Sequence, residues 1–470
     1  MPLLIILFLM TKPVLAVAPG LIGPLQALLQ MLPQMLAALT ALLGGLLSNP
    51  YLRLLARKHL KLLILLAVLL LASVGALIYS AQDRRLPVLA TPSATPPPSQ
   101  QNWVAFRGSL DGGGSGAIDG RPLPASPPTR WIHTDKDNAQ YLSSPVAVNG
   151  RCFVGASLFQ SSNSFGAIEC FDTQDGKLIW RALTRHPVFS SPVISKGRVY
   201  CGEGLHEDND CQLYCLDAQS GKTVFTIKTH GHVEASPTLV GDKLLFSAGG
   251  EGFYCAQAQT GQVIWRTACG HSDSSAAVAG GRVYIGTAYG DNAVVCLDLE
   301  SGRKLWSLAQ DLPVWGHAAV AGETVFVGLG NGTFGTSDAH PRGAALAVRA
   351  SDGQLLWRRD LPDSVNTSLV LNQERVLLGC RDGFAYCLDQ RDGRILWKAA
   401  CGAPLLSSLV LQDKTLLVAG GDGHLHALEL ETGKELWHYL ISDVPCEASP
   451  MLNGDHLFLG CGSFLECLGP

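Results

Sequence analysis

The first 82 residues contain no Asp or Glu and only five Lys or Arg, so they lack nearly all of the charge that the rest of the chain carries. The other 388 residues hold 30 basic and 39 acidic side chains, a net charge of −9. No cluster of Lys or Arg occurs in this acidic body, which therefore lacks the electrostatic footprint that binding to phosphate backbones requires. We expect no nucleic-acid partner. An uncharged apolar stretch ahead of a mildly acidic body is typical of a membrane-attached protein.

Catalytic and haem-binding motifs are also missing. Neither G-x-S-x-G nor H-E-x-x-H occurs, so the sequence offers no recognisable arrangement of nucleophile, base and orienting residue. The haem-attachment motif C-x-x-C-H is absent as well. The 14 cysteines are only about 3% of a chain that is long enough to bury a large core. Disulfides are therefore not needed to hold the fold together.

One segment has the length and composition of a transmembrane helix. Residues 62–79, LLILLAVLLLASVGALIY, carry no charge and can cross the hydrocarbon core once. Four basic residues lie between positions 53 and 61, directly before this segment. The positive-inside rule then places this flank in the cytoplasm and the chain after Ser80 on the other side of the membrane.

The regions on either side of the predicted helix differ in character. Residues 1–61 form an apolar segment with the basic cytoplasmic flank, and they are too long for the n-region of a signal peptide. Within them, residues 2–48 are interrupted by prolines, and a second span, a re-entrant segment and an interfacial stretch stay open as alternatives. Residues 80–102 form a Pro/Ser/Thr-rich linker of the extended kind.

The rest of the chain is a repeat with a period near 40 residues. An 11-residue unit occurs seven times, at 170–180, 215–225, 255–265, 296–306, 347–357, 387–397 and 427–437. Each copy contains a Gly that suits a tight turn between two strands, followed four residues later by an aromatic side chain. We expect these aromatic residues to pack between neighbouring units, together with a tryptophan upstream of the first copy: Trp131, Trp180, Trp265, Trp306, Trp357, Trp397 and Trp437.

A second hairpin precedes each copy, so that every unit has four antiparallel strands, A to D, as in a propeller blade. Strand A begins at Ser144, Ser191, Ser236, Ser275, His317, Ser368, Ser408 and Ser449. There are thus eight strand A positions but only seven complete strand D copies. Residues 128–134, around Trp131, supply the missing outer strand of the last blade. The sequence predicts an all-β, eight-bladed β-propeller over residues 103–470, with a transmembrane helix before it.

The repeated unit (C/A)-x-D-x-x-(S/T/D)-G-(K/R/Q)-x-x-W, with Ser-Pro at strand A, resembles the repeat of pyrroloquinoline-quinone-like (PQQ-like) eight-bladed propellers. That family includes quinoprotein alcohol dehydrogenases and BamB-type outer-membrane assembly proteins, and the resemblance implies the fold for residues 103–470. It does not decide between an enzyme and a scaffold, because the motif is a packing device that both share. Two family features are missing: this chain has no adjacent cysteine pair, and its first cysteine is Cys152, so no N-terminal cysteine is available for lipidation.

The repeat also predicts where a binding site lies, because equivalent positions of all blades form rings around the axis. The position two residues before each strand A marker reads Leu142, Phe189, Glu234, Asp273, Trp315, Asn366, Leu406 and Glu447. An arc of acidic and amide side chains thus faces an apolar arc at one mouth of the channel. The B-to-C hairpins of blades one, two and five are longer than the minimal turn of blade six and lie on the same face. We therefore expect a ligand or partner to bind on this face.

Histidines near these positions leave several interpretations open. His206 lies beside Glu207, Asp208 and Asp210 at the hairpin tip of blade two. These four residues are interpreted either as a cation site or as a solvated turn. A metal site is one interpretation of His232, His271 and His317; the other is that they satisfy loop amides, and we expect no metal.

Six cysteines share one repeat position, which predicts that they are small buried residues of a strand: Cys170, Cys215, Cys255, Cys296, Cys387 and Cys467. Alignment of blade two on blade six places Cys201 opposite Cys215. A cross-strand disulfide between these two is one expectation, and two free thiols the other.

The sequence favours a membrane-anchored, extracytoplasmic propeller that acts as a scaffold, binds a protein or polysaccharide partner, and uses no cofactor. The alternative is an oxidoreductase that depends on PQQ and Ca²⁺, with Glu234, Asp273 or Glu447 as metal ligand or base.

Overall fold

The computed structural model describes residues 103–104, 123–136, 139–160, 163–206, 208–333, 336–444 and 446–470. The predicted apolar segment (1–61), transmembrane helix (62–79) and linker (80–102) lie outside this part of the chain. All regular structure in the described residues is β-strand, and no helix there has the length and hydrophobicity to cross a membrane.

Thirty-four strands make up the described structure. The first three are β1 (Trp103–Val104), β2 (Thr129–Thr134) and β3 (Ala139–Gln140). Blade one has β4 (Val146–Val148), β5 (Arg151–Gln160), β6 (Asn163–Asp172) and β7 (Leu178–Thr184), and blade two has β8 (Val193–Ser195), β9 (Arg198–Gly202), β10 (Gln212–Asp217) and β11 (Thr223–Lys228). Blade three has β12 (Thr238–Val240), β13 (Lys243–Ser247), β14 (Phe253–Gln257) and β15 (Val263–Thr267), and blade four has β16 (Ala277–Ala279), β17 (Arg282–Thr287), β18 (Ala293–Asp298) and β19 (Lys304–Ala309).

The second half of the ring repeats this order. Blade five has β20 (Ala319–Ala321), β21 (Thr324–Gly330), β22 (Gly343–Arg349) and β23 (Leu355–Leu361), and blade six has β24 (Val370–Asn372), β25 (Arg375–Gly379), β26 (Phe384–Asp389) and β27 (Ile395–Ala400). Blade seven has β28 (Val410–Gln412), β29 (Thr415–Ala419), β30 (His424–Glu429) and β31 (Glu435–Leu440), and the chain ends with β32 (Met451–Asn453), β33 (His456–Cys461) and β34 (Phe464–Leu468).

The eighth blade is built from both ends of the described chain. Its sheet has the order β2-β34-β33-β32, and β2 pairs antiparallel with β34, with Trp131 opposite Cys467. The strand that the repeat spacing places at residues 128–134 is therefore β2. Because this pairing closes the ring, β34 presents no free edge. The predicted all-β, eight-bladed propeller is confirmed.

Two short strands add to the regular pattern. β1 pairs with β8, the innermost strand of blade two, and β3 pairs with β5 of blade one. The middle strands of the blades are nearly all buried, as in β9 and β10, because a neighbouring blade covers each face. Outer strands such as β7 alternate between buried and exposed side chains. The core therefore lies between blades, as a series of apolar clusters around the ring.

At seven of the eight joints between blades, an aromatic ring of one blade lies over a turn glycine of the next, and in six of these the ring is a tryptophan. The Trp306 indole donates from Nε1 to the Ala350 carbonyl at 3.0 Å in the next blade and lies over Gly353. Five other tryptophans donate to a carbonyl of the following blade in the same way: Trp131, Trp180, Trp265, Trp357 and Trp397. Trp437 lies at the joint to blade eight, where it packs on the cluster that contains Leu123 and Leu468. The repeated aromatic residues thus connect each blade to the next.

Candidate functional site at the channel mouth

The eight connections between strand D of one blade and strand A of the next converge on one cavity at the channel mouth. It encloses about 140 Å³ and is lined by all eight ring residues: Leu142, Phe189, Glu234, Asp273, Trp315, Asn366, Leu406 and Glu447. His206 and His317 also line it. The structure therefore gathers side chains that are as much as 305 positions apart in the sequence. Polar groups concentrate on the side of blades three and four. Leu406, Leu142 and Phe189 line the other side, where Glu447 interrupts them between Leu406 and Leu142.

A belt of hydrogen bonds fixes the floor of this cavity. At six joints the backbone N–H of one strand A marker donates to the side chain of the next marker, at 2.6 to 3.1 Å: Ser144 to Ser191, Ser191 to Ser236, Ser275 to His317, Ser368 to Ser408, Ser408 to Ser449, and Ser449 to Ser144. The marker side chains thus position the strands around the axis as well as lining the site.

His317 takes the place of a serine in this belt. Its Nδ1 accepts the Ser275 backbone N–H at 2.6 Å, so a neutral His317 ring carries its hydrogen on Nε2. The Nδ1 lone pair accepts this hydrogen bond and Nε2 carries the hydrogen, so the neutral ring has no lone pair left for a metal. The interpretation of His232, His271 and His317 as one set of metal ligands is therefore wrong, because His317 has a structural role in the belt.

A cluster of histidines and carboxylates occupies the polar side of the mouth. His232 Nε2 and His271 Nε2 lie 2.8 and 2.9 Å from the two oxygens of Asp273. His206 Nδ1 lies 3.0 Å from Glu234 Oε2 and 3.8 Å from Asp273 Oδ2. His206 comes from the B-to-C hairpin of blade two, while the other four lie in the connections that lead into β12 and β16. Three separate segments of chain therefore meet at this cluster.

Burial and charge set the protonation states in this cluster. Burial would raise the pKa of Asp273, but the hydrogen bonds and charges of His232 and His271 bring it well below its usual range. Burial would lower the pKa of His232, but the hydrogen bond to Asp273 and the charges of Asp273 and Glu234 raise it overall. The Asp273 carboxylate is therefore ionised at neutral pH and is the electrostatic centre of the cluster.

Aromatic rings cover the solvent side of the cluster. The Trp315 ring lies nearly parallel to that of His206, with centroids 6.3 Å apart. Tyr289, from the B-to-C hairpin of blade four, packs its ring edge-on against His271 and Trp315, and 55% of its surface is exposed. Tyr289 cannot be singled out from the sequence, because the hairpin that carries it is too short to stand out among the elaborated ones. Its positive φ of 53° is a local signal that only the structure reveals.

Two residues of the predicted cation site lie elsewhere. Asp208 accepts the Leu205 backbone N–H at 2.9 Å and lies 3.3 Å from His186, so it holds the hairpin together. Asp210 is exposed and lies 3.8 Å from His230. His206 alone points into the channel mouth, and Glu207 lies outside the described residues. The grouping of His206, Asp208 and Asp210 at one cation is therefore wrong, because the hairpin uses its carboxylates for its own turn.

The remaining polar ring residues face the cluster from the far side of the cavity. Burial raises the pKa of Glu447, and the charge of Arg381 opposes this shift. Arg381 is itself buried and donates to the Thr333 carbonyl at 2.8 Å. Asn366 Oδ1 is buried and accepts no hydrogen bond from the described residues. This side of the mouth therefore offers two oxygen acceptors to a ligand.

The structure corrects the cysteine pairing. In blade two Cys201 lies opposite Tyr214, and Cys215 lies opposite Tyr200, so the predicted register is wrong by one residue. The two thiols therefore point to opposite faces of the sheet, and both are free. The disulfide observed joins Cys446 to Cys461, directly beside Glu447 of the cavity. Neither of its cysteines occupies the shared repeat position, but the free Cys152 and Cys201 do not occupy it either, so no sequence signal singles this pair out.

Comparison with known proteins identifies the family. A family model described as outer membrane protein assembly factor BamB matches residues 126–231, 209–367 and 341–464. The chain belongs to this family. The BamB protein of Burkholderia pseudomallei (strain K96243) is 25% identical over 234 residues, which are 46% of this chain and 56% of that protein.

More distant similarities extend to enzymes and to solved structures. A polyvinylalcohol dehydrogenase of Sphingopyxis sp. (strain 113P3) is 27% identical over 164 residues, 31% of this chain and 25% of the enzyme. The crystal structure of BamB from Moraxella catarrhalis superposes with a TM-score of 0.57 at 14% identity, covering 73% of this chain and 97% of that one. The chain spans about half of the Burkholderia protein and a quarter of the dehydrogenase. The family assignment rests on the family model, and the superposed structure shows the fold.

Proposed function

We propose that this protein is a membrane-anchored, extracytoplasmic propeller that binds a protein partner at the channel mouth and carries out no chemistry itself. The observation that carries the proposal is the convergence of eight ring residues of six different types on one cavity of an otherwise repetitive fold. If these positions served only to build the repeat, we would expect the same type of residue in every blade. Here they combine carboxylates, an amide, an indole and aliphatic side chains, which is the mixed lining expected of a binding site.

The decorated hairpins support the same face as the contact surface. In blade one β5 and β6 each have 10 residues, twice the length of β13 or β14 in blade three, and they project the hairpin on the cavity side. Tyr289 and Trp315 present aromatic surface on the same face, and such residues dominate the energetics of protein interfaces. The matched family, that of an outer membrane protein assembly factor, agrees with a protein partner. A polysaccharide is the other ligand class that such a surface accommodates.

Anchoring and location rest on separate arguments. Residues 62–79 have the length and hydrophobicity of a single span, and the basic flank before them predicts that the propeller lies outside the cytoplasm. The Cys446–Cys461 disulfide agrees with this, because disulfides persist in oxidising compartments. The family description refers to the outer membrane, which again agrees with an extracytoplasmic site of action.

The alternative, an oxidoreductase with PQQ and Ca²⁺, draws support from the similarity to polyvinylalcohol dehydrogenase. The residues at the mouth do not fit that pair. PQQ carries three carboxyl groups, whereas the cavity lining itself has three carboxylates, Glu234, Asp273 and Glu447, and no Lys or Arg. Ca²⁺ prefers oxygen ligands, but imidazole nitrogens contact two of these carboxylates. We derive no step through this cofactor.

Capture experiments with the full-length protein test the proposed function. The triple variant E234Q/D273N/E447Q should lose partner capture from an extract of the source cells, because it removes the charge of the mouth while keeping the side-chain shapes. E300Q is the matched control, since Glu300 lies on the opposite face in the β18–β19 turn and pairs with Lys243. Unchanged capture by the triple variant would remove the mouth as the binding site, and capture competed by soluble polysaccharide would identify the other ligand class. Bound quinone absorbance after addition of PQQ and Ca²⁺ would favour the oxidoreductase.

A further inference from the structure

We propose that His206, His232, Glu234 and Asp273 form a binding site for one divalent transition-metal ion of the zinc class. One donor atom from each of these residues lies within 4.8 Å of all the others. Tetrahedral zinc places its ligand atoms about 3.3 Å apart, given metal–ligand distances of about 2.0–2.1 Å. The nitrogen–oxygen distances within the set run from 2.8 to 3.8 Å, so small side-chain movements bring the donors around one ion.

The types of donor atom favour a transition metal. Two imidazole nitrogens and two carboxylate oxygens make a mixed set that suits zinc and its neighbours, whereas Ca²⁺ and Mg²⁺ prefer oxygen alone. A divalent ion also compensates the two carboxylates, Glu234 and Asp273, which approach the same nitrogen of His206. The cluster is therefore matched to the ion in both ligand type and charge.

The site is built into the fold. The side chains of His232 and Asp273 are only 2% and 7% exposed, so the donors do not belong to a solvated surface patch. Gly249 has a φ of +49°, and a Cβ there would lie 2.8 Å from His232 Cε1; a Cβ on Gly204 would lie 2.9 Å from His232 Cβ. Two glycines thus leave the space that the His232 ring occupies. The chain directly before Asp273 is held by two bridges, between Gly249 and Ser272 and between His271 and Ala288.

A second layer of contacts orients the donors. His271 Nε2 lies 2.9 Å from Asp273 Oδ2, and hydrogen bonds of this kind typically orient metal-binding carboxylates. The Trp315 ring covers His206, and the Tyr289 ring covers His271. His206, Glu234 and Asp273 all line the cavity, so an ion can enter from the channel mouth. The inference is independent of the proposed partner, because it concerns the ion alone.

Titration of the chelator-stripped, full-length protein with Zn²⁺ against a chromophoric competitor tests this site. We expect one tightly bound ion per chain. H271Q removes a residue that contacts a ligand without binding the ion, so it should weaken the affinity for Zn²⁺ by about 10–100-fold. H206Q and E234Q replace part-exposed ligands, and each should weaken the affinity for Zn²⁺ by more than H271Q does. Unfolding measured without metal confirms that each variant is folded before its affinity is compared.

A second histidine cluster in blade seven provides the matched control. His424, His426 and His438 lie near Asp422 and Glu435, but His438 is 59% exposed and both carboxylates are at least 40% exposed. The double variant H424Q/H438Q should therefore leave the affinity for Zn²⁺ unchanged. Absence of a bound ion in the wild type, unchanged affinity in both H206Q and E234Q, or loss of the ion in the blade-seven variant would overturn the proposal.

Discussion

At the scale of single residues, the propeller depends on contacts between a glycine in one blade and an aromatic ring in the preceding blade. Gly353 has a φ of +78°, and a Cβ there would lie 2.7 Å from Trp306 Cε3. The glycine is therefore required twice, for its backbone conformation and for the space beneath the indole. The turn glycines Gly176, Gly221, Gly302, Gly393 and Gly433 meet a tryptophan in the same way. This explains why Gly and the aromatic residue recur together in the sequence.

Two alanine variants of blade five separate these requirements. Gly322 also has a positive φ, of +57°, but a Cβ there meets nothing within 4 Å. G322A should therefore cost only the backbone penalty, about 1–2 kcal/mol. G353A should cost about 1–3 kcal/mol more, because the methyl group also overpacks the joint against Trp306. Chemical denaturation of both variants measures the difference, and equal destabilisation would show that the contact with the indole is unimportant.

At the scale of elements, the connections between strands carry the differences among otherwise equivalent blades. The D-to-A connections into blades three and four supply His232, Glu234, His271 and Asp273, and the hairpin of blade two adds His206. Repeat equivalence predicts that the ring positions meet, because it depends only on the symmetry of the fold. It does not predict that His206 turns toward Glu234 and away from Asp208, because that choice depends on hydrogen bonds within one irregular hairpin. Side-chain placement in the decorated hairpins therefore had to come from the structure.

The cysteines also show that the sequence does not predict the details of strand pairing, and their disulfide pairing can be measured. Strand pairing in blade two could be predicted, but an error of one residue in the register exchanged the faces on which Cys201 and Cys215 lie. Peptide mapping after alkylation without reductant should find one linked pair, Cys446 with Cys461. Cys201 and Cys215 should both be alkylated once the protein is denatured. Burial raises the pKa of each of these two thiols, to about 12 and about 11, so both should react slowly in the native protein. A Cys201–Cys215 peptide would contradict the register described here.

At the scale of the whole molecule, a closed ring of similar blades carries a mouth with two different sides. Closure through β2 and β34 fixes the blades around the axis, and the belt through the strand A markers holds their inner ends together. On this symmetric frame, the histidine and carboxylate cluster lies at blades three and four, opposite a side where Leu406, Leu142 and Phe189 are interrupted only by Glu447. An asymmetric mouth of this kind orients whatever it binds, which a uniform ring could not do.

Site-specific photo-crosslinking in the source cells shows whether the channel mouth is the face that binds the partner. A photoreactive amino acid replaces Tyr289, which is exposed at the rim of the mouth, or Glu300, which is exposed on the opposite face. We expect a discrete crosslinked product from position 289 and none from position 300. A product from position 300 with none from position 289 would contradict this expectation.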